Sequence, residues 1–189
     1  MRCVIIILLF NVFIFYGCDL FETRDPETPE SITSTYKPPV TPDLVLDNLI
    51  SSIEEDNVDN YMRNFIDTTV TVKRYSFNPS AGYEIRLQEW GLENERRYFQ
   101  NLSTQVSGVP SLTLTNLTEQ NRAANTTEYT AQYFLIYPHQ LSTIATQVRG
   151  FLHFYLSMDT QQRWGIYRWD DVKTTTDSTW SYLKFSFGS

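Results

Sequence analysis

From residue 42 onward the chain alternates between two hydrophobic periods, and the change of period sets out its elements. Leu46, Leu49, Ile50 and Ile53 recur at the i, i+3, i+4, i+7 spacing of one apolar helix face. Thr41-Pro42-Asp43 supplies a start signal, and the helix is expected to end near Glu55 or Asp56. Asn57 can cap a second helix whose apolar face is Val58, Tyr61, Met62 and Phe65. Val70–Val72 and Arg74–Phe77 read as short strand pieces, stopped by the turn-forming run Asn78–Gly82. A third helix enters at Trp90-Gly91 and carries Leu92, Glu95, Phe99 and Leu102 on one stripe.

Beyond residue 110 the period falls to two. Ser111–Thr118, Tyr129–Tyr137 and Thr146–Met158 each alternate, the last with Val148, Gly150, Leu152, Phe154, Leu156 and Met158 on one face. Asp159–Gln162 is a hairpin loop leading into Trp164–Trp169, and Trp180–Phe187 reads as a final strand closing the sheet. Helices gathered on one face of an antiparallel sheet define the α+β class, with residues 42–189 as the domain.

The segment before it has other business. Arg2 precedes an apolar stretch of 13 residues, Val4–Tyr16, interrupted only by Asn11 and ending at Gly17-Cys18. A membrane span needs ~20 apolar residues, so this is the hydrophobic region of a signal peptide covering residues 1–17. Phe15-Tyr16-Gly17-Cys18 resembles the lipobox of bacterial lipoproteins, although Tyr16 is bulky and Phe15 replaces a leucine. The resemblance implies that Cys18 is acylated and becomes the first mature residue. Residues 18–41 then form a tether, acidic at Asp19, Glu22, Asp25, Glu27 and Glu30 and broken by Pro26, Pro29, Pro38 and Pro39.

Composition narrows the chemistry. Cys3 and Cys18 are the only cysteines, so with Cys18 lipidated the domain has no disulfide, thiol nucleophile or thiolate metal site. A net charge of -7 argues against nucleic acid as a partner. Two histidines, His139 and His153, give no basis for a metal centre or a nucleophile triad, and no glycine loop for phosphate is present, so no cofactor is expected. The sequons at Asn101, Asn116 and Asn125 would matter only in a eukaryotic secretory pathway.

Near the C-terminus, Trp164-Gly-Ile166-Tyr-Arg168-Trp169-Asp-Asp171 followed by Trp180-Ser-Tyr-Leu183-Lys184 forms a W-x-I-x-x-W-x-D pattern. With the paired helices and Trp90-Gly91-x-x-x-Glu95, it resembles the nuclear transport factor 2-like superfamily over Pro42 to Phe187. That resemblance implies a cone, in which a curved antiparallel sheet wraps three helices and leaves a pocket at its wide end. It implies no activity, since this fold hosts isomerases, dehydratases and binding domains alike. The steroid-isomerase branch uses a carboxylate base with a Tyr and a protonated Asp. Here Tyr61, Tyr133 and Tyr155 are candidate donors and Asp170 and Asp171 candidate acids, none of which maps onto that branch's catalytic positions, so no catalytic residue is assigned.

Tyr61, Tyr133, Trp164 and Arg168 are the candidate pocket residues; Trp164, Ile166, Trp169, Asp171 and Trp180 are the structural motif. In a regular strand Arg168 shares the face of Trp164 and Ile166, where it either pairs with Asp170 or Glu95 or binds a ligand carboxylate. Glu95 is either a buried acid or a rim carboxylate paired with Arg96 or another base. Two readings stay open. One is a lipid-anchored envelope protein, on the outer or inner membrane facing the periplasm or at the cell surface, whose cone binds an envelope protein, a small apolar ligand or a second copy of itself. The other is a small isomerase or dehydratase with a carboxylate and a Tyr converging in a dry pocket.

Overall fold

The computed structural model describes residues 35–66, 69, 71–175 and 178–188. The expected signal peptide, Cys18 and most of the tether lie outside the described residues, as does Val70 of the first strand piece. No helix among the described residues is long and apolar enough to cross a membrane.

Helix α1 (Pro42–Glu54) buries Leu46, Leu49 and Ile53 of the stripe expected from spacing, adds Val45 to it and leaves Ile50 half-buried. Thr41 stands at its N-cap in extended conformation, but its side chain makes no cap bond; Pro42 at the first helical turn needs no N–H partner. Asn57 does cap α2 (Val58–Met62), its Oδ1 accepting the N–H of Asn60 at 3.0 Å. Helix α3 (Leu92–Ser103) starts at Gly91 and buries Glu95, Tyr98, Phe99 and Leu102.

Five strands follow the order β1-β5-β4-β3-β2: β1 (Ser76–Asn78), β2 (Ser111–Gln120), β3 (Thr126–Ile136), β4 (Gln147–Met158) and β5 (Trp164–Val172). The long strands pair antiparallel in chain order, as the period of two requires. Strand β1 instead runs parallel to β5, pairing Phe77 with Trp169, so the sheet is mixed rather than wholly antiparallel. Bulges at Asn116 (φ 53°) in β2 and at Tyr167 in β5 each insert residues that their partners do not match, and such insertions bend and twist a sheet.

Trp180–Phe187 is a helix, α4, and not the closing strand expected. Its alternation of large and small residues fits a strand, but Trp180, Leu183, Lys184 and Phe187 also fall at i, i+3, i+4, i+7, and all four are buried. The pattern is helical only if Lys184 counts as an interior residue. Helix α4 packs on α3 and β4 and completes the α+β layer.

Two tyrosines of or beside β3 tie the sheet to α1. Tyr129 donates to Asp43 at 2.6 Å, and Tyr137 donates to Asp56 just beyond the helix. Gly150 sits where no side chain fits: a Cβ there would lie 2.7 Å from both the Tyr133 hydroxyl and the Val172 carbonyl oxygen. Because that hydroxyl is itself held by two hydrogen bonds, Gly150→Ala is expected to cost about 1–3 kcal/mol, read by urea denaturation; an unchanged midpoint would refute the close approach.

Candidate functional site

Among the described residues two carboxylates are buried, and each is closed in by the protein itself. Glu95 projects from the apolar face of α3 and is fully buried. It accepts hydrogen bonds from Tyr61 Oη at 2.6 Å, Tyr75 Oη at 3.0 Å and Trp90 Nε1 at 2.6 Å. Lys184, equally buried, donates to both Glu95 oxygens at 2.6 Å. Its ammonium also lies 3.8 Å from the ring centres of Phe77 and Trp169, a cation caged by π faces.

Such a pair survives burial only because every polar atom finds a partner. Loss of solvent brings the Lys184 ammonium down to about 8, against the opposing pull of Glu95. Burial, followed by the Glu95 charge, pushes the phenols of Tyr61, Tyr75 and Tyr98 well above their ordinary range. All three stay protonated; Tyr61 and Tyr75 donate to Glu95, and Tyr98 accepts the Trp180 indole N–H at 3.0 Å.

The second carboxylate is Asp171 at the end of β5. It accepts from Tyr133 Oη at 2.7 Å, from the Ser181 N–H at 2.8 Å and from the Ser181 hydroxyl at 2.5 Å. The Tyr133 oxygen in turn accepts the Trp180 N–H at 2.7 Å. Thr179 makes no side-chain cap bond, so Tyr133 and Asp171 satisfy the first two N–H groups of α4 from across the sheet. Burial raises the Asp171 carboxyl above its usual range, opposed by these hydrogen bonds.

The four candidate pocket residues are not brought together. Tyr61 belongs to the Glu95 cluster and Tyr133 to the Asp171 cluster. Trp164 lines a cleft of about 630 Å³ together with Tyr36, Pro39, Arg63, Arg96 and Arg163. There residues 36 and 39 contact the domain: the Pro39 carbonyl accepts the Trp164 N–H at 2.8 Å, and Arg63 lies over the Tyr36 ring. Arg168 is on the opposite, outer face of the sheet. The extra residue Tyr167 shifts the register, so Ile166 faces Leu156 while Arg168 faces Tyr155, and Arg168 turns away from the interior. It forms a bidentate pair with Asp170 at 2.8 Å for each bond and stacks on Tyr155. Asp170, one of the two candidate acids, is thereby an outer-face ion-pair partner.

Glu95 is thus the buried acid of the two alternatives, and Arg96 pairs with Asp59 instead. The partner that sequence reasoning missed is Lys184. Its signal was a single charge inside the aromatic run Trp180–Phe187. The motif residues Trp169 and Trp180 are fully enclosed and meet edge to face at 4.5 Å between centroids. No group of three or more metal-ligating side chains converges among the described residues.

Neither a protein-family model nor a curated protein sequence matches this chain. Solved structures do. A protein proposed to be a scytalone dehydratase from Novosphingobium aromaticivorans aligns with a TM-score of 0.57 at 9% identity, covering 72% of this chain and 83% of its own. A protein of the NTF2-like family from Streptomyces avermitilis gives 0.54 at 8% identity, covering 71% and 94%. A nuclear transport factor 2-like superfamily protein from Salmonella enterica gives 0.53 at 10%, covering 70% and 88%. The chain has the nuclear transport factor 2-like fold. Identities this low speak for the fold alone. Within this NTF2-like domain, the space between helices and sheet is taken up by Trp180, Leu183, Lys184 and Phe187 of α4, and both interior carboxylates are spent on internal partners.

Proposed function

We propose that this protein is a lipid-anchored protein of the bacterial cell envelope, held through Cys18 on a membrane face toward the periplasm or the cell surface, and that its NTF2-like domain works by binding. One observation supports binding over chemistry: Glu95 and Asp171, the carboxylates placed to serve as interior acids, are each saturated by donors of the protein itself. A general base must reach the proton it removes, and these two face only protein atoms. Ligands or partners then meet the domain on its surface, where the cleft beside Trp164 and the outer sheet face are open. Two or three acyl chains on Cys18, each buried CH₂ contributing ~0.8 kcal/mol, suffice for stable anchoring.

The anchor is tested by expressing the full chain with its signal in a Gram-negative host fed labelled palmitate. Wild type is expected to take up label and sediment with membranes, and Cys18→Ser to lose both. An unlabelled wild type of full signal-bearing mass would remove the anchor from this reading.

A further inference from the structure

On the outer face of the sheet lies a second cleft of about 420 Å³, between β3 and β4 and the chain just after β5. Thr115, Gln132, Phe134, Arg149, Thr174 and Thr175 line it. Although the chain carries 22 acidic residues, no carboxylate lines this cleft among the described residues. Its polar groups are hydroxyls, one amide and one guanidinium.

Arg149 is the distinctive member. Arg96, Arg122, Arg163 and Arg168 pair with Asp59, Glu119, Asp159 and Asp170, whereas Arg149, like Arg74, Arg86 and Arg97, has no carboxylate partner among the described residues, and of these four it alone lines this cleft. The Arg149 side chain has neither a hydrogen bond nor an ion pair among the described residues. Strand register places it directly across from Phe134, while Gln132, two pairs along on the same face, is opposite Phe151, which in turn is opposite Val172. Phe134, Phe151 and Val172 are 39%, 42% and 49% exposed, an apolar strip beside the cation.

We infer that this cleft binds a small monocarboxylate carried on a flat apolar body. The carboxylate takes the planar fork of Arg149, with the Thr174 and Thr175 hydroxyls beside it, and the body lies against Phe134. A single guanidinium matches one planar carboxylate in bidentate fashion, whereas a phosphate dianion needs more positive charge than the lining supplies. The volume falls within the range of small-ligand sites. This inference rests on the binding reading above and adds the site and ligand class to it.

The probe is 4-fluorobenzoate, titrated against the purified full chain and followed by fluorine NMR. Saturable binding is expected, weakened roughly tenfold in Arg149→Gln as one charge-assisted bidentate contact is lost. It should be unchanged in Arg63→Gln, which alters only the cleft beside Trp164. Arg149 is exposed, so circular dichroism of Arg149→Gln should match wild type. No saturable binding, or equal binding by wild type and Arg149→Gln, overturns the inference. Equal displacement by inorganic phosphate overturns the ligand class. Binding lost in Arg63→Gln instead would sink this site while leaving a surface-binding domain intact, and an unlabelled chain in the palmitate experiment would remove the anchor without touching the cleft.

Discussion

Lys184→Met is expected to lower stability by about 3–5 kcal/mol, the cost of removing one partner from a buried ion pair and leaving the other charge uncompensated. Methionine fills nearly the same volume, so the loss is one of charge rather than of packing. Glu95 would then face three neutral donors, Tyr61, Tyr75 and Trp90, without its cation. The double variant Glu95→Gln/Lys184→Met removes both charges and keeps an acceptor for those donors, so its loss should be smaller than that of Lys184→Met alone. Urea denaturation of the two single variants and the double measures this coupling. Additive losses would mean that the pair contributes no mutual interaction.

The same pair sets a pH dependence. In the unfolded chain Lys184 keeps its proton up to about 10.5, and in the folded protein only up to about 8. Between those values the unfolded state binds more protons, so Lys184 makes stability rise with pH over that window. Tyr61, Tyr75 and Tyr98 act in the opposite sense. Their folded values lie well above 10, so the unfolded chain loses protons first and stability falls once pH passes 10. Wild type should therefore gain stability from pH 8 and turn over near 10, and Lys184→Met should lose the gain and keep the fall.

Trp169→Ala carries an expected loss of similar size, about 3–5 kcal/mol, by another mechanism. Trp169 is fully buried, with the rings of Trp180, Phe154 and Phe77 edge-on at 4.5, 5.0 and 5.4 Å between centroids. Truncation leaves a cavity bounded by β1, β4 and α4, and also removes one of the two close π faces around Lys184. Denaturation followed by circular dichroism reads the loss without depending on tryptophan emission. A loss under about 1 kcal/mol would mean that the aromatic neighbours close the gap, and the motif would owe its tryptophan to something other than packing.

Much of the architecture was legible from periodicity alone. The stripe Leu46–Ile53 names most of the buried face of α1, because an amphipathic helix owes its stability chiefly to one packed face, whereas the helix expected over Val58–Phe65 stops at Met62, with Tyr61 buried in it and Phe65 buried beyond it. The alternation from Val148 to Met158 names the inner face of β4 for the same reason, at period two. The cone resemblance rested on the Trp164–Asp171 pattern, and solved structures of that fold align with the chain.

The candidate site was much less legible. Arg168 is assigned to the interior by strict alternation, yet one unmatched residue, Tyr167, reverses the parity of everything after it in β5. No local property of Tyr167 announces the bulge; pairing with β4 decides it. Asp171 was read as a motif residue and a candidate acid, but that it caps a helix ten residues later depends on α4 existing there.

Lys184 shows where the boundary falls. By itself the sequence determined which stretches could bury an apolar face, and that residues 42–189 carry no cysteine. Only the tertiary structure decided that Trp180–Phe187 coils rather than extends, because a helix there puts a lysine in the core and is tolerable only when Glu95, from a helix far off in the chain, waits to receive it. A charge buried alone costs several kcal/mol and the same charge paired is tolerated, so the deciding term is a contact between distant residues, which no local pattern contains.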